Sequence, residues 1–365
     1  MRQMRAYAPY AASVLVATLG CGCGPRGSSA PERELPWPVK GKGAFELGAV
    51  ASGLYRVPVP PDQVETWAWK NNALVQEAPF ALPAKSSDVT PLADERYVCF
   101  AAESPETGSS PLVLSRRHSG EVLASWVVPG GWWCPGLALS PDGAKIGVAA
   151  ERSSARRSAI PEPGNPTRKV GIVDLTTRAL HWVASWRDDG TGGFGEVAVS
   201  NGGGFIAVSG WENGLAVVDV AGKKMLWHGR PTEAVGIRRV AFGPDGTSVY
   251  AGDSGGGGIY EYETKTGVIK RKWMTDDSYG GRMPAMTVSP DGKWLATAVV
   301  PGGNVFLFDL KAGKRVALFR HSRRGLSLLC FSPDSTRLAS YGAGKIKIWR
   351  LPTGTGRSVE AAGTH

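Results

Sequence analysis

The string in this chain that comes nearest to a catalytic motif is Gly252-Asp253-Ser254-Gly255-Gly256. It copies the surroundings of a protease nucleophile, and Gly252, Ser254 and Gly256 also fit G-x-S-x-G. Neither chemistry has its supporting context. A G-x-S-x-G elbow needs a strand running straight into a helix, whereas the apolar run Ile259–Tyr262 after Gly255–Gly258 reads as a further strand. A serine protease needs a general-base His, and His118, His181, His228, His321 and His365 carry no supporting motif. The same glycines offer backbone N–H groups to a phosphate, but no helix follows to add its dipole. The string reads as a Gly-rich loop between strands. No C-x-x-C or paired-His spacing marks a metal site, so no catalytic residue, cofactor or metal is expected.

The other residues with recognition chemistry are aromatic and basic. Trp132, Trp133 and Trp211 fall in loops. The densest basic groups are Arg152, Arg156, Arg157, Arg168 and Lys169 in one loop, and Arg320, Arg323 and Arg324 in another. An aromatic group edged by arginine has the composition of a partner-binding surface. Two plainer readings stand beside it: tryptophans fold back to cap the core, and a cationic loop is simply solvated. Trp126, Trp182, Trp227 and Trp273 sit on apolar runs at equivalent points of the chain and read as core.

What positions these residues is a repeat. Trp69, Ser115, Val173, Val218, Tyr262, Phe308 and Trp349 each end a short apolar run, at successive separations of 46, 58, 45, 44, 46 and 41 residues. The clearest units place Leu137/Leu139, Val240/Phe242, Met286/Val288 and Leu329/Phe331 before a four-residue turn. Those turns are Ser140-Pro141-Asp142-Gly143, Gly243-Pro244-Asp245-Gly246, Ser289-Pro290-Asp291-Gly292 and Ser332-Pro333-Asp334-Ser335; Ser200-Asn201-Gly202-Gly203 is a degenerate copy. Period two on either side of Pro-Asp-Gly is a β-hairpin. A third run closes on Val173-Asp174, Val218-Asp219, Tyr262-Glu263, Phe308-Asp309 or Trp349-Arg350, and a fourth follows, as in Val268–Trp273 and Arg315–Phe319. Four strands per unit, seven times over, predict an all-β, seven-bladed propeller whose blade interfaces are separate small cores. The 49 glycines and 20% charged residues agree with many short strands and tight turns.

These residues give the chain a resemblance to the WD-repeat β-propellers over roughly residues 44–352. It rests on the S-P-D-G hairpin, the aromatic-acid pair closing the third strand, and Arg320-His321, which is similar to the family's Gly-His before a blade. His321, Ser340 and Trp349 match three members of the family's stabilising hydrogen-bond network, while Gly342-Ala343-Gly344 lacks its Asp. Trp349 precedes Arg350 where the family has Asp, and Ser115 replaces the aromatic. TolB-type periplasmic propellers use a similar hairpin and are the nearest alternative. The resemblance implies a monomeric, non-catalytic protein-binding scaffold. The alternative is an enzyme or cofactor-binding propeller, lactonase- or quinoprotein-like, whose central channel would need converging carboxylates, His or metal ligands.

The N-terminus bears on location. Arg2 and Arg5 precede a mostly apolar run, Ala6 to Gly20, too short to span a bilayer of about 30 Å as a helix. It reads as a signal peptide over 1–20. Thr18-Leu19-Gly20-Cys21 resembles a bacterial lipobox, which implies lipidation of Cys21 and, with Gly22 next, the periplasmic face of the outer membrane. A soluble secreted product is the alternative. Residues 21–43 then read as a lipidated start and flexible linker, 44–355 as the propeller and 356–365 as a flexible tail. The formal charge of +10 would suit nucleic acid, but export and the lack of a long basic run argue against it; envelope protein partners and the membrane, through the lipid, are expected instead. Cys330 fills a slot held elsewhere by Ala138, Ala198, Ala241 and Thr287, so packing explains it, whereas Cys99 and Cys134 lie in neighbouring units where a disulfide stays open.

Overall fold

The computed structural model describes residues 31–352 except 37–44, 51–52, 59–62, 72, 83–86, 93, 101–110, 129–131, 153–165, 188–193, 211–213, 254, 256, 276–281 and 322–325, with backbone alone at several strand positions. Among the described residues the strands form seven antiparallel sheets, following one another along the chain. Blade 1 holds Phe45–Val50, Gly53–Pro58, Gln63–Lys70 and Ala73–Gln76, with Phe80–Ala81 added on its third strand. Blade 2 holds Ser87–Pro91, Arg96–Phe100, Leu112–Arg116 and Val122–Trp126. Blade 3 holds Trp132–Leu139, Lys145–Arg152, Arg168–Asp174 and Ala179–Trp186, and blade 4 Phe194–Val199, Phe205–Gly210, Gly214–Asp219 and Lys224–Gly229. Blade 5 holds Ile237–Phe242, Ser248–Asp253, Gly258–Glu263 and Ile269–Met274. Blade 6 follows with Arg282–Val288, Trp294–Val300, Asn304–Asp309 and Lys314–Arg320. First strands touch those of the next blade all round, and Leu326–Phe331 of blade 7 returns to Phe45–Val50, so the sheets close into a ring.

Blade 7 differs from the linear reading of the chain. Leu326–Phe331, Arg337–Gly342 and Lys345–Arg350 supply three strands, and the fourth is Arg33–Pro36, paired from Arg33 opposite Ile348 to Pro36 opposite Lys345. Residues 33–36 therefore belong to the propeller, although their composition placed them in the linker. Arg-Glu-Leu-Pro is too short to show a period, and the unpaired edge of Lys345–Arg350 supplies the hydrogen bonds that order it. Glu32 adds an ion pair with Arg337 at 3.0 Å.

The turns explain the repeat. In Ser140–Gly143 the Ser140 hydroxyl donates to Asp142 Oδ1 at 2.5 Å and accepts from the Lys145 N–H at 2.9 Å, while Asp142 Oδ1 accepts from the Ala144 N–H. Ser289–Gly292 and Ser332–Ser335 repeat these bonds. The last position is left-handed, which suits Gly143, Gly246 and Gly292 and leaves Ser335 at φ 57° as the exception. Neighbouring turns also meet: the Gly202 N–H donates to Asp142 Oδ2, and the Asp291 N–H to Ser335 Oγ. Burial acts to raise the Asp142 pKa, but the Ser140 hydroxyl and the Ala144 and Gly202 N–H groups outweigh it and hold the carboxyl below its ordinary value.

In blades 3, 4 and 6 the Asp that ends the third strand caps the next turn: Asp174 Oδ1 accepts from the Thr176 and Thr177 N–H groups, Asp219 from Gly222 and Asp309 from Ala312. The residue before the end of the third strand is buried in every blade, from Trp69 to Trp349. Seven apolar clusters result, each spanning two adjacent blades, with blade 7 on blade 1 closing the set. Fourth-strand tryptophans lock these interfaces: Trp126 Nε1 donates to the Arg178 carbonyl of the next blade and Trp227 Nε1 to that of Thr264, both at 2.8 Å. In blade 7, Trp349 Nε1 donates to Ser340 Oγ at 2.8 Å, and His321 sets Nδ1 against the same oxygen at 2.7 Å and Nε2 against the Gly342 carbonyl at 2.9 Å. The backbone carbonyl of Gly342 thus takes the imidazole that an Asp would otherwise orient.

Candidate functional site

Strand register defines two faces of the ring. Pairing of Trp132 with Arg152, Phe194 with Gly210, Arg282 with Val300 and Leu326 with Gly342 sets the start of each first strand beside the end of its second. Connections into first strands and out of second strands therefore share one face, and the Pro-Asp-Gly turns lie on the other.

The recognition residues read from the sequence map to the first face only in part. Trp132 and Arg320 are described in full, Trp133 and Arg152 by backbone, and all four stand at strand ends rather than in the loops the sequence suggested; Arg156, Arg157, Trp211, Arg323, Arg324 and Cys21 lie outside the described residues. Arg320 is exposed at the end of blade 6. Trp132 is half-buried against the core between blades 2 and 3. The Lys169 ammonium sits 4.3 Å from its ring centroid and 3.9 Å from that of Trp182, a buried cation between two aromatic faces. Arg168 and Lys169 are not loop residues: both are buried on the third strand of blade 3, at 6% and 8% exposure, so the solvated-loop reading fails for this pair.

On the same face a cleft of about 290 Å³ opens between blades 3 and 4. Trp186, Phe194 and Met225 form apolar walls, and Arg168, Arg187 and His228 supply the cationic and imidazole groups. The Arg168 guanidinium carbon lies 4.8 Å from the Phe194 centroid, and Trp186 meets that ring edge-on at 6.1 Å and 81°. Behind them Glu151 Oε2 accepts the Phe194 N–H at 3.3 Å. The sequence held a signal for this site. When third strands are aligned on their last residues, Arg168 occupies the place of Gly257, Gly303 and Gly344 in blades 5, 6 and 7 and of Asn213 in blade 4. A long cation where these blades carry a turn residue marks a local difference.

The central channel, about 930 Å³, is lined by first strands. Ala138, Ala198, Ala241, Thr287 and Cys330 line it from equivalent first-strand positions. Burial pushes the Cys330 thiol up to about 12, against a smaller lowering from Trp69. Near the first face Glu196 pairs with Arg239 at 3.3 Å and accepts the Val240 N–H at 2.8 Å. Burial raises its pKa despite both partners. Burial, with the charges of Arg239 and Arg282, lowers that of Arg238 beside them. The other lining carboxylate, Asp142, belongs to the turn at the opposite end. Glu196 and Asp142 therefore do not converge on one substrate. No group of three or more His, Cys, Asp and Glu positioned for a metal occurs among the described residues.

The Gly-rich loop is structural in its described part. Asp253, almost fully buried, accepts the Gly236 and Gly255 N–H groups at 3.1 and 3.2 Å, and Gly258–Glu263 continues as a strand. A Cβ on Gly252 would meet Met283 Sδ at 2.3 Å, so glycine there permits close packing of blades 5 and 6. Ser254 lies outside the described residues. Cys99, Cys134 and Cys330 are buried, and no disulfide joins Cys99 to Cys134.

With the blade geometry in hand, the comparison with known families is decisive for one stretch. Residues 313–350 match the WD domain, G-beta repeat. The match runs from the turn before the fourth strand of blade 6 through the third strand of blade 7, and so contains His321, Ser340 and Trp349. The matched stretch thus holds the His321–Ser340–Trp349 hydrogen bonds, with the Gly342 carbonyl in place of an Asp. A search of the curated proteins gives no match to the chain.

Proposed function

We propose that the protein is a non-catalytic scaffold that binds partner proteins on the face carrying Trp133, Arg152, Arg156, Arg157, Trp211, Arg320, Arg323 and Arg324, and that it is held in a bacterial cell envelope by lipid on Cys21. The observation that carries the binding reading is the separation of Glu196, paired with Arg239, from Asp142 along a channel whose remaining lining is mostly small, aliphatic and aromatic. Such a wall positions no acid-base pair, whereas WD-repeat propellers commonly present their faces to partners. The lipobox-like Thr18–Cys21 supports the envelope reading.

Crosslinking the full chain in cells, then identifying captured proteins, tests the scaffold. Arg156→Glu is expected to weaken capture at unchanged melting temperature, more so at low salt. Capture that falls only when the fold melts overturns the assignment of that face. Cys21→Ala is expected to release the protein from the membrane fraction or leave it unprocessed, and normal processing with full membrane retention overturns the anchor.

A further inference from the structure

We propose that the outer edge of blades 6 and 7 is a docking surface for an anionic phospholipid bilayer. Its charge is a property of the whole sequence there. Residues 304–352 hold ten of the 42 Lys and Arg residues and only Asp309 and Asp334 of the 32 acids, which places +8 of the formal +10 in this stretch. The rest of the chain, with 32 cations against 30 acids, is nearly neutral. Segment 322–325 within the stretch is Ser-Arg-Arg-Gly and adds cations and no acid. In the strand that closes blade 7, Arg33 and Glu34 cancel, and Glu32 offsets Arg337 alone.

Topology puts these cations on the rim. Lys314–Arg320 is the outer edge of its sheet, and Lys345–Arg350 lies one strand in from the edge of blade 7. Lys311, Lys314, Arg315, Arg320, Lys345 and Arg350 are all exposed. Lysines on an edge strand also discourage further pairing, but that purpose would call for them on every blade. The edges Val122–Trp126 and Ala179–Trp186 of blades 2 and 3 carry no Lys or Arg. Blade 5 has Lys270, Arg271 and Lys272 on its edge, yet Glu261 lies 3.7 Å from Arg271 and Glu233 lies 2.9 Å from Lys272. The excess charge is therefore local to blades 6 and 7, which suits a planar anionic layer met edge-on. Each cation held near such a layer strengthens attachment about fivefold. The chain also enters the propeller here, at Arg33–Pro36, so lipid on Cys21 would turn this edge to the bilayer. That placement rests on the envelope reading above; the charge does not.

Flotation of the full chain with phosphatidylglycerol vesicles and with phosphatidylcholine vesicles tests the proposal. Ala6–Gly20, and any lipid on Cys21, insert into both alike, so the ratio of the two partition coefficients reports the charged edge. A ratio of at least about a hundredfold is expected at low salt, falling towards one in 1 M salt, where the screening length is about 3 Å. Lys311→Gln combined with Lys314→Gln is expected to lower the ratio about tenfold at unchanged melting temperature. Arg320 stands where the edge meets the partner face, so the test leaves it in place. Lys223→Gln combined with Lys224→Gln makes the same charge change in the equivalent exposed turn of blade 4 and is expected to leave the ratio within about twofold. Equal losses from the two pairs, or no loss from the blade 6 pair, overturn the edge as the docking surface. Loss of partner capture in the blade 6 pair, with vesicle binding intact, assigns the edge to a protein and overturns it as well. Cys21→Ala is expected to lower binding to both vesicles and keep their ratio; unchanged binding to both would refute the lipid and leave the edge standing.

Discussion

Replacing Ser340 with Ala removes one oxygen on which two buried groups, the His321 imidazole and the Trp349 indole, converge. Gly342 offers only a carbonyl to His321 Nε2, so Nε2 carries the ring proton and Nδ1 accepts in the neutral imidazole. Ser340 must then donate to Nδ1 while its oxygen accepts the Trp349 indole N–H, and both contacts fall below 3 Å. His321, Ser340 and Trp349 are 4%, 0% and 1% exposed, so water does not replace the missing hydroxyl. In Ser340→Ala the indole N–H and Nδ1 face a methyl group. At about 1–3 kcal/mol for each buried polar group that loses its partner, the cost is roughly 2–6 kcal/mol. Urea unfolding measures it, with Thr297→Val in blade 6 as control. There a single 3.2 Å bond to the Ala285 carbonyl is removed, at about 0.5–1.5 kcal/mol. A double-mutant cycle with Trp349→Phe is expected to give coupling above about 1 kcal/mol, because each change removes the same contact. A Ser340→Ala cost under about 0.5 kcal/mol, or additive singles, would refute the forced chain of donors.

Asp142→Asn tests the turns through pH. The folded pKa lies below the ordinary carboxylate value of about 3.9, so the ionised form stabilises the fold above that pH and the advantage fades as pH falls through the folded value; the urea midpoints of wild type and variant should converge in acid, and a gap that persists there rejects the ionised turn. Ala241→Leu, half-buried on a first strand and facing the channel, is expected to overpack the ring by about 1–3 kcal/mol, read as a lower melting temperature. Trp227→Phe keeps an aromatic over Tyr262, stacked at 5.3 Å, but loses the donor to the Thr264 carbonyl, for a cost of about 0.5–1.5 kcal/mol; no change in urea midpoint would mean that this inter-blade bond contributes nothing.

The architecture was legible because each device in it is local. Pro-Asp-Gly turns, the apolar-acid pair and the fourth-strand tryptophans act within a few residues or on the next blade, so one chain written seven times reveals them by register. What escaped is non-local. Arg33–Pro36 became a strand through an edge three hundred residues away, and nothing in its four residues announces that. Arg168 and Lys169 read as loop cations because they border the long 153–165 stretch, yet pairing of Arg168 with Glu151 and Trp186 carries them into the sheet. Trp132 was placed on the right face, but its ring turns to Lys169 and the core, a choice between packing and exposure that chain position alone does not make. Glu196 and Arg239 sit on different blades and meet only when blade 4 packs on blade 5.

The closing strand also sets the length of a leash. With lipid on Cys21, the free chain would run only to Arg33, where pairing with Ile348 begins. Twelve residues reach at most about 40 Å, and as a flexible coil span about 20 Å on average. Blade 7 would then be the point of attachment, held against the bilayer rather than drifting on a long tether. Counting three blades in either direction round a ring of seven from blade 7 arrives at blades 3 and 4. The cleft that holds Arg168 lies diametrically across the ring from blade 7, so a blade 7 tied to a bilayer would leave that rim turned outward.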